Sequence, residues 1–165
     1  MTPHVRRAVP EDGPVILTLV EALAEYEKLV PPDLAARQRL LNDLFGPRPR
    51  LECHLGEIDG VTAGYAFVFE TYSSFLALPT LYLEDLFVLP ACRDREVGGA
   101  LFRAMVALAQ SRGCGRMECT VLDWNSPAIG FYRRLGAKHM KEWFLYRLLP
   151  EDMARITGFP ATSRH

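Results

Sequence analysis

The chain has 165 residues, 49% of them hydrophobic and 24% charged, which suits one globular domain over residues 1–165 and excludes a disordered protein. Its 19 basic and 20 acidic side chains leave a formal net charge of -1, so no nucleic-acid partner is expected. The opening MTPHVRRAVPEDG lacks the apolar core of a signal peptide, and no window approaches the roughly eighteen apolar residues of a membrane span, so a cytoplasmic protein without a membrane partner is the default expectation.

Val5 to Ala8 reads as a first strand. From Gly13 to Leu29 the apolar positions Val15, Ile16, Leu19, Val20, Leu23 and Tyr26 recur at helical spacing, with Pro14 at the first helical position and Pro31 and Pro32 as the stop. A second helix is expected over Asp33 to Phe45, ended by Gly46 and Pro47. Leu51 to Ile58 and Val61 to Phe69 flank Asp59-Gly60, a pair that adopts the positive φ angles of a tight hairpin, so these two strands should be antiparallel.

The next strand, Leu81 to Leu89, is apolar or aromatic but for Glu84 and Asp85. Neighbouring strand residues face opposite ways, so the two carboxylates cannot share one site on a regular strand, and each needs its own partner. Two readings are open: both acids are satisfied structurally by amides or arginines, or one faces a cleft as a general base with its pKa raised by apolar neighbours.

Arg93-Asp94-Arg95-Glu96-Val97-Gly98-Gly99 leads into a helix with Val97, Leu101, Ala104, Met105 and Leu108 on one face, closed by Gly113. A strand entering a helix through such a turn directs free N–H groups and the positive end of the helix dipole at one point, a geometry that suits a pyrophosphate, although many such turns bind nothing. Arg116 to Leu122 reads as a strand. Asn125 or Ser126 caps a short helix with Pro127 near its start and Gly136 just past its end, and Lys141 to Leu149 is expected as a final strand. The last eight residues, GFPATSRH at 158–165, read as a loose tail. Cys53, Cys92, Cys114 and Cys119 show no metal-knuckle spacing, and His4, His54, His139 and His165 share no motif, so no metal is expected.

LYLEDLFV at 81–88, the spacing of Arg93 and Gly98, VLDWN at 121–125 and FYRRLGA at 131–137 together resemble the diamine acetyltransferase branch of the GNAT superfamily, which includes the spermidine/spermine and thialysine acetyltransferases. Residues 6–29 are similar to that family's first strand and helix. The resemblance implies an α/β GNAT fold, a mixed and mostly antiparallel central sheet flanked by helices, and acetyl-CoA as co-substrate. It implies that Leu86, Phe87 and Val88 hold the pantetheine arm by backbone hydrogen bonds and that the amides of Arg93, Asp94, Arg95, Glu96, Val97, Gly98 and Gly99 wrap the pyrophosphate. Asn125 would contact the cofactor arm, Tyr132 would protonate the departing thiolate, and Glu84 would receive the amine proton through water. Glu84, Asp85 and Tyr72 would meet a small-molecule amine, and a homodimer is expected.

Two departures from the family pattern bear on function. The family turn is usually R-x-x-G-x-G, often with a further glycine after the arginine, and here those two glycine positions hold Asp94 and Glu96. At about 5 Å and an effective dielectric near 20, a like charge beside a diphosphate costs roughly 3 kcal/mol, an upper figure for a wet rim. The second departure is Thr71-Tyr72-Ser73-Ser74, which lacks the acid of polyamine-acetylating relatives and favours a short amine or a lysine-like amino acid over a long polyamine. The sequence therefore supports an N-acetyltransferase acting on a small primary amine, with a non-catalytic GNAT-like domain, sensing a ligand or acting through a dimer surface, as the rival that Glu96 favours.

Overall fold

The computed structural model describes residues 2–161. They fall into two compact units, residues 1–120 and residues 121–165. Residues 162–165 of the expected tail, His165 among them, lie outside the described residues.

The first unit is a five-stranded sheet: β1 (His4–Arg7), β2 (Glu52–Ile58), β3 (Val61–Ser73), β4 (Leu78–Val88) and β5 (Arg116–Cys119), in spatial order 1-2-3-4-5. The first four pair with one another in antiparallel fashion, and β5 runs parallel to β4. A parallel neighbour requires a crossover, supplied here by α3 (Val97–Ser111). Asp59 and Gly60 have φ of 54° and 75°, the two positive values of a type I′ turn, and the expected hairpin is present.

Two helices precede β2. In α1 (Gly13–Tyr26) Ile16 and Leu19 are fully buried, as their spacing predicts. The helix stops three residues before the expected Leu29, because Lys28 turns to φ 59° while Lys28 N–H and Leu29 N–H donate to the carbonyls of Glu25 and Ala24. This pair of bonds satisfies the last turn without help from the prolines. In α2 (Leu34–Phe45) the carboxylate of Asp33 caps the first turn by accepting from Ala36 N–H at 2.8 Å.

Ile16, Leu19, Leu44, Cys53, Leu55, Tyr65, Phe67 and Phe87 form the core on one face of the sheet. Successive strand residues alternate in direction, so Gly56 points the other way, beneath Val97 and Leu101 of α3. A Cβ at Gly56 would sit 2.7 Å from Val97 Cγ1, and one at Gly64 would sit 2.4 Å from the carbonyl oxygen of Phe87. Glycine at these two positions lets α3 and β4 approach closely, which fixes the depth at which the N-terminus of α3 lies.

The second unit holds α4 (Ser126–Arg134) and α5 (Pro150–Thr157). Gly136 follows α4 at φ 87° as expected, with Ala137 N–H donating to the carbonyl of Tyr132 at 3.0 Å. The strand expected over Lys141 to Leu149 is absent: the segment is irregular, and every residue from Lys141 through Leu149 is exposed. Alternating apolar residues mark a strand only where a neighbouring strand can take up the backbone N–H and C=O groups, and this segment has no registered partner among the described residues. After it, Pro150 opens α5 and Asp152 accepts from Leu149 N–H at 3.0 Å, a capping signal that the apolar pattern alone did not reveal.

Replacing Gly64 with alanine should destabilise the protein by about 2 kcal/mol, because the obstruction is backbone that cannot rotate away. Urea denaturation of the two proteins measures it, and equal midpoints would mean that β3 and β4 are not so closely apposed.

Candidate active site

On β4 the ladder to β3 places Asp85 opposite Phe67 and Leu83 opposite Val68, so Glu84 is an extra, unmatched residue. Such a bulge bends and twists its strand. The parallel ladder to β5 ends at the same point, with Leu83 opposite Cys119. The strand expected to reach Leu122 therefore closes at Cys119, and among the described residues the registered partner of β4 from Asp85 to Val88 is β3 alone.

That parting exposes main chain. Leu89 N–H donates to the carbonyl of Ala63 at 2.8 Å and Val88 lies opposite Gly64. In an antiparallel ladder this register turns the peptide groups of Phe87 toward β3 and those of Leu86 and Val88 away from it. The outward Val88 carbonyl accepts from Arg93 Nε at 3.2 Å. The start of α3 lies alongside, for a Cβ at Gly98 would be 3.6 Å from Val88 Cγ2. The structure thus brings Leu86, Phe87 and Val88 next to Val97, Gly98 and Gly99, whose amides precede the first intrahelical bond, Ala100 N–H to Glu96 C=O.

Within the turn, Asp94 and Glu96 have φ of 63° and 61°. The two positions at which the sequence substitutes acids for glycine keep the backbone conformation that glycine adopts freely. An L-residue there costs roughly 1–2 kcal/mol, so the turn is strained at both. Both side chains are exposed. The two arginines are engaged with the protein itself: Arg93 stacks with its guanidinium carbon 4.5 Å from the ring centre of Tyr26 and 5.9 Å from that of Phe87, and Arg95 pairs with Asp59 at 2.5 Å.

The two strand acids meet different fates. Glu84 is exposed, whereas Asp85 is turned to the core and accepts from Tyr65 O–H at 2.9 Å. Burial pushes the Asp85 carboxyl up from 3.8 to about 6, against the Tyr65 bond, and the nearby charges of Glu84 and Glu27 raise it further. Burial also raises the carboxyl of Glu27, the residue that follows α1, raises the Tyr65 hydroxyl and pushes the Cys53 thiol up to about 12. Asp85 is thus partnered structurally, by a tyrosine hydroxyl and not by the amides or arginines expected, while burial raises its pKa as the other reading expected. Tyr65, Tyr26 and Glu27 were missed: alternation marks Tyr65 as inward-facing, but its meeting with Asp85 depends on the bulge. Tyr72 is exposed opposite Pro79, six residues along β4 from Asp85, roughly 20 Å at strand rise, and is not brought to the acids.

In the second unit Asn125 is buried and its carboxamide oxygen caps α4, accepting from Ala128 N–H at 3.3 Å. Tyr132 lies on α4 with its ring edge-on to Phe131 at 5.3 Å between centres.

Residues 18–137 match the acetyltransferase (GNAT) family. The chain belongs to that family. It is 31% identical to the thialysine N-epsilon-acetyltransferase of Sus scrofa over 165 residues, which cover 93% of this chain and 96% of that protein. It is 30% identical to an L-ornithine N5-acetyltransferase of Arabidopsis thaliana, covering 94% of this chain and 88% of that one. Among solved structures, an integron cassette protein from the mobile metagenome of V. cholerae matches with a TM-score of 0.78 at 20% identity, covering 94% of this chain and 98% of that one. A probable acetyltransferase also matches at 0.78, with 19% identity, covering 88% of this chain and 97% of the other. These likenesses bear out the α/β fold with its mixed, mostly antiparallel sheet, and the chain is an N-acetyltransferase of the GNAT family. Among the described residues no helix is long and apolar enough to cross a membrane.

Because the folded state holds the Asp85 proton more tightly than the unfolded chain does, the stability tied to this group is full below about pH 4 and is lost as pH rises to about 6. Asp85→Asn keeps an acceptor for Tyr65 and removes the titration. The variant should gain on the wild type across that window, reaching about 3 kcal/mol above it, as read by denaturation at several pH values. A pH-independent difference would show that Asp85 is not desolvated.

Proposed function

We propose that this N-acetyltransferase uses acetyl-CoA as co-substrate and acts on a small primary amine, with a lysine-like or ornithine-like amino acid favoured over a long polyamine. The observation that carries the reading is the open edge of β4 at Leu86 and Val88 beside the unbonded amides that start α3, reached through a turn whose two glycine-replacing residues retain positive φ. An extended amide-bearing arm suits the first and a pyrophosphate suits the second. The relatives named for thialysine and ornithine support a small amine acceptor. So does the exposed carboxylate of Glu84 at the bulge, which suits a cationic amine.

When bound, acetyl-CoA supplies the activated thioester carbonyl. The chain's contribution is positioning and proton transfer. The backbone of Leu86 to Val88 and the amides of residues 93–99 orient the co-substrate, and Asn125 contacts its arm. Glu84, exposed at the bulge, takes the ammonium proton through water so that the amine can attack. Tyr132 donates a proton to the leaving thiolate. A homodimer accompanies this reading, supported by the exposed apolar run Trp143, Phe144, Leu145 and Tyr146.

The second reading, a GNAT-like domain with impaired CoA binding, is favoured by the charges of Asp94 and Glu96 in the turn. Calorimetric titration with acetyl-CoA, with CoA as control, separates the two: micromolar binding supports the enzyme, and no binding up to millimolar cofactor removes acetyl-CoA from the proposal. Glu96→Gly should tighten binding by about tenfold, since it relieves both charge and strain, and unchanged affinity would show that Glu96 does not oppose the pyrophosphate. Tyr132→Phe should lower turnover by about a hundredfold with little change in acetyl-CoA affinity. Equal turnover in a steady-state assay would remove Tyr132 as the acid.

A further inference from the structure

We infer that Asp59, at the tip of the β2–β3 hairpin, is a positioning residue for the co-substrate turn, and that its ion pair with Arg95 holds Asp94 and Glu96 in their left-handed conformations. The inference rests on the reading of residues 93–99 as the pyrophosphate turn. Without glycine, both positions favour negative φ, so the observed path persists only if its surroundings fix it. At the front, Arg93 is held by the Tyr26 ring and the Val88 carbonyl, and at the back Val97, the first residue of α3, is buried over Gly56 of β2. Between these anchors, Glu96 gives no side-chain cap to the helix. Among the described residues the remaining side-chain tie is Arg95, which lies between the two strained residues and whose Nη2 reaches Asp59 Oδ2 at 2.5 Å across 36 residues of sequence.

Asp59 is suited to this task because it is itself fixed. It sits at φ 54° in a two-residue turn closed by the Ile58–Val61 pair, so its carboxylate projects from the end of a paired hairpin. The pairing also divides the labour of Arg95: its guanidinium serves Asp59, and its backbone amide remains with the turn. If Arg95 instead bound the diphosphate through its side chain, Asp59 would be a competitor, and the two roles predict opposite effects of removing the Asp59 charge.

Asp59→Asn tests this cleanly, since asparagine tolerates the left-handed turn position and removes only the charge. It is compared with Arg95→Gln and with the double variant by calorimetric titration with acetyl-CoA, steady-state kinetics, and amide hydrogen exchange of the protein without cofactor. Each single variant should raise the acetyl-CoA dissociation constant by about three- to tenfold, and the double variant should be no worse than either. For Asp59→Asn, the KM for the amine and kcat at saturating acetyl-CoA should stay at the wild-type values, and exchange at residues 94–97 should accelerate. Equal or tighter binding by Asp59→Asn, or unchanged exchange in the turn, overturns the inference. If the wild type itself does not bind acetyl-CoA, the proposed function fails, and the exchange measurement alone then decides whether Asp59 holds the turn.

Discussion

An unmatched residue in one strand sets the geometry on which the candidate site depends. Glu84 bulges out of the β3–β4 ladder, and at that point β4 parts from its parallel neighbour β5. Main-chain groups in the middle of a sheet are normally consumed by neighbouring strands on both sides. Here the parting leaves Leu86 and Val88 with outward peptide groups, and the close approach that Gly56 and Gly64 permit sets the start of α3 beside them. The same bulge gives the adjacent carboxylates different surroundings, Glu84 in the open and Asp85 against Tyr65.

The turn between β4 and α3 separates two properties of glycine that are usually lost together. Asp94 and Glu96 cannot reproduce its small size or neutrality, yet both adopt its backbone conformation. The cost of doing so is comparable to several surface interactions, so the turn depends on contacts elsewhere: a cation stacked on Tyr26 and an ion pair to a hairpin tip. Neither contact is needed in a glycine-bearing turn. In this chain Arg93 and Arg95 direct their guanidinium groups at the protein, and the backbone amides, which the resemblance assigns to the pyrophosphate, remain the groups suited to an anion.

Much of the fold was legible because its signals are local. The Asp59-Gly60 turn, the Asn125 cap, the Gly113 and Gly136 stops and the buried Ile16 and Leu19 stripe depend on a few consecutive residues, and each lies where the pattern puts it. Lys28 ends α1 earlier than the prolines would, since a lysine in a left-handed conformation has no sequence signature. The strand read at Lys141 to Leu149 failed for a different reason. Its alternation is genuine, but a strand is a relation between two segments, and no registered partner meets it among the described residues.

By itself the sequence determined the element order from β1 to α4, the core stripe, the family and the residue types available for amine acetylation, because these follow from periodicity, turn chemistry and short motifs. Only the tertiary structure decided which acid is desolvated, what Arg93 and Arg95 hold, and that Asp94 and Glu96 take glycine's conformation. Those outcomes depend on strand register and on residues distant in sequence, Tyr65 from Asp85 and Asp59 from Arg95, and a single bulged residue shifts the register without leaving a mark in composition or spacing.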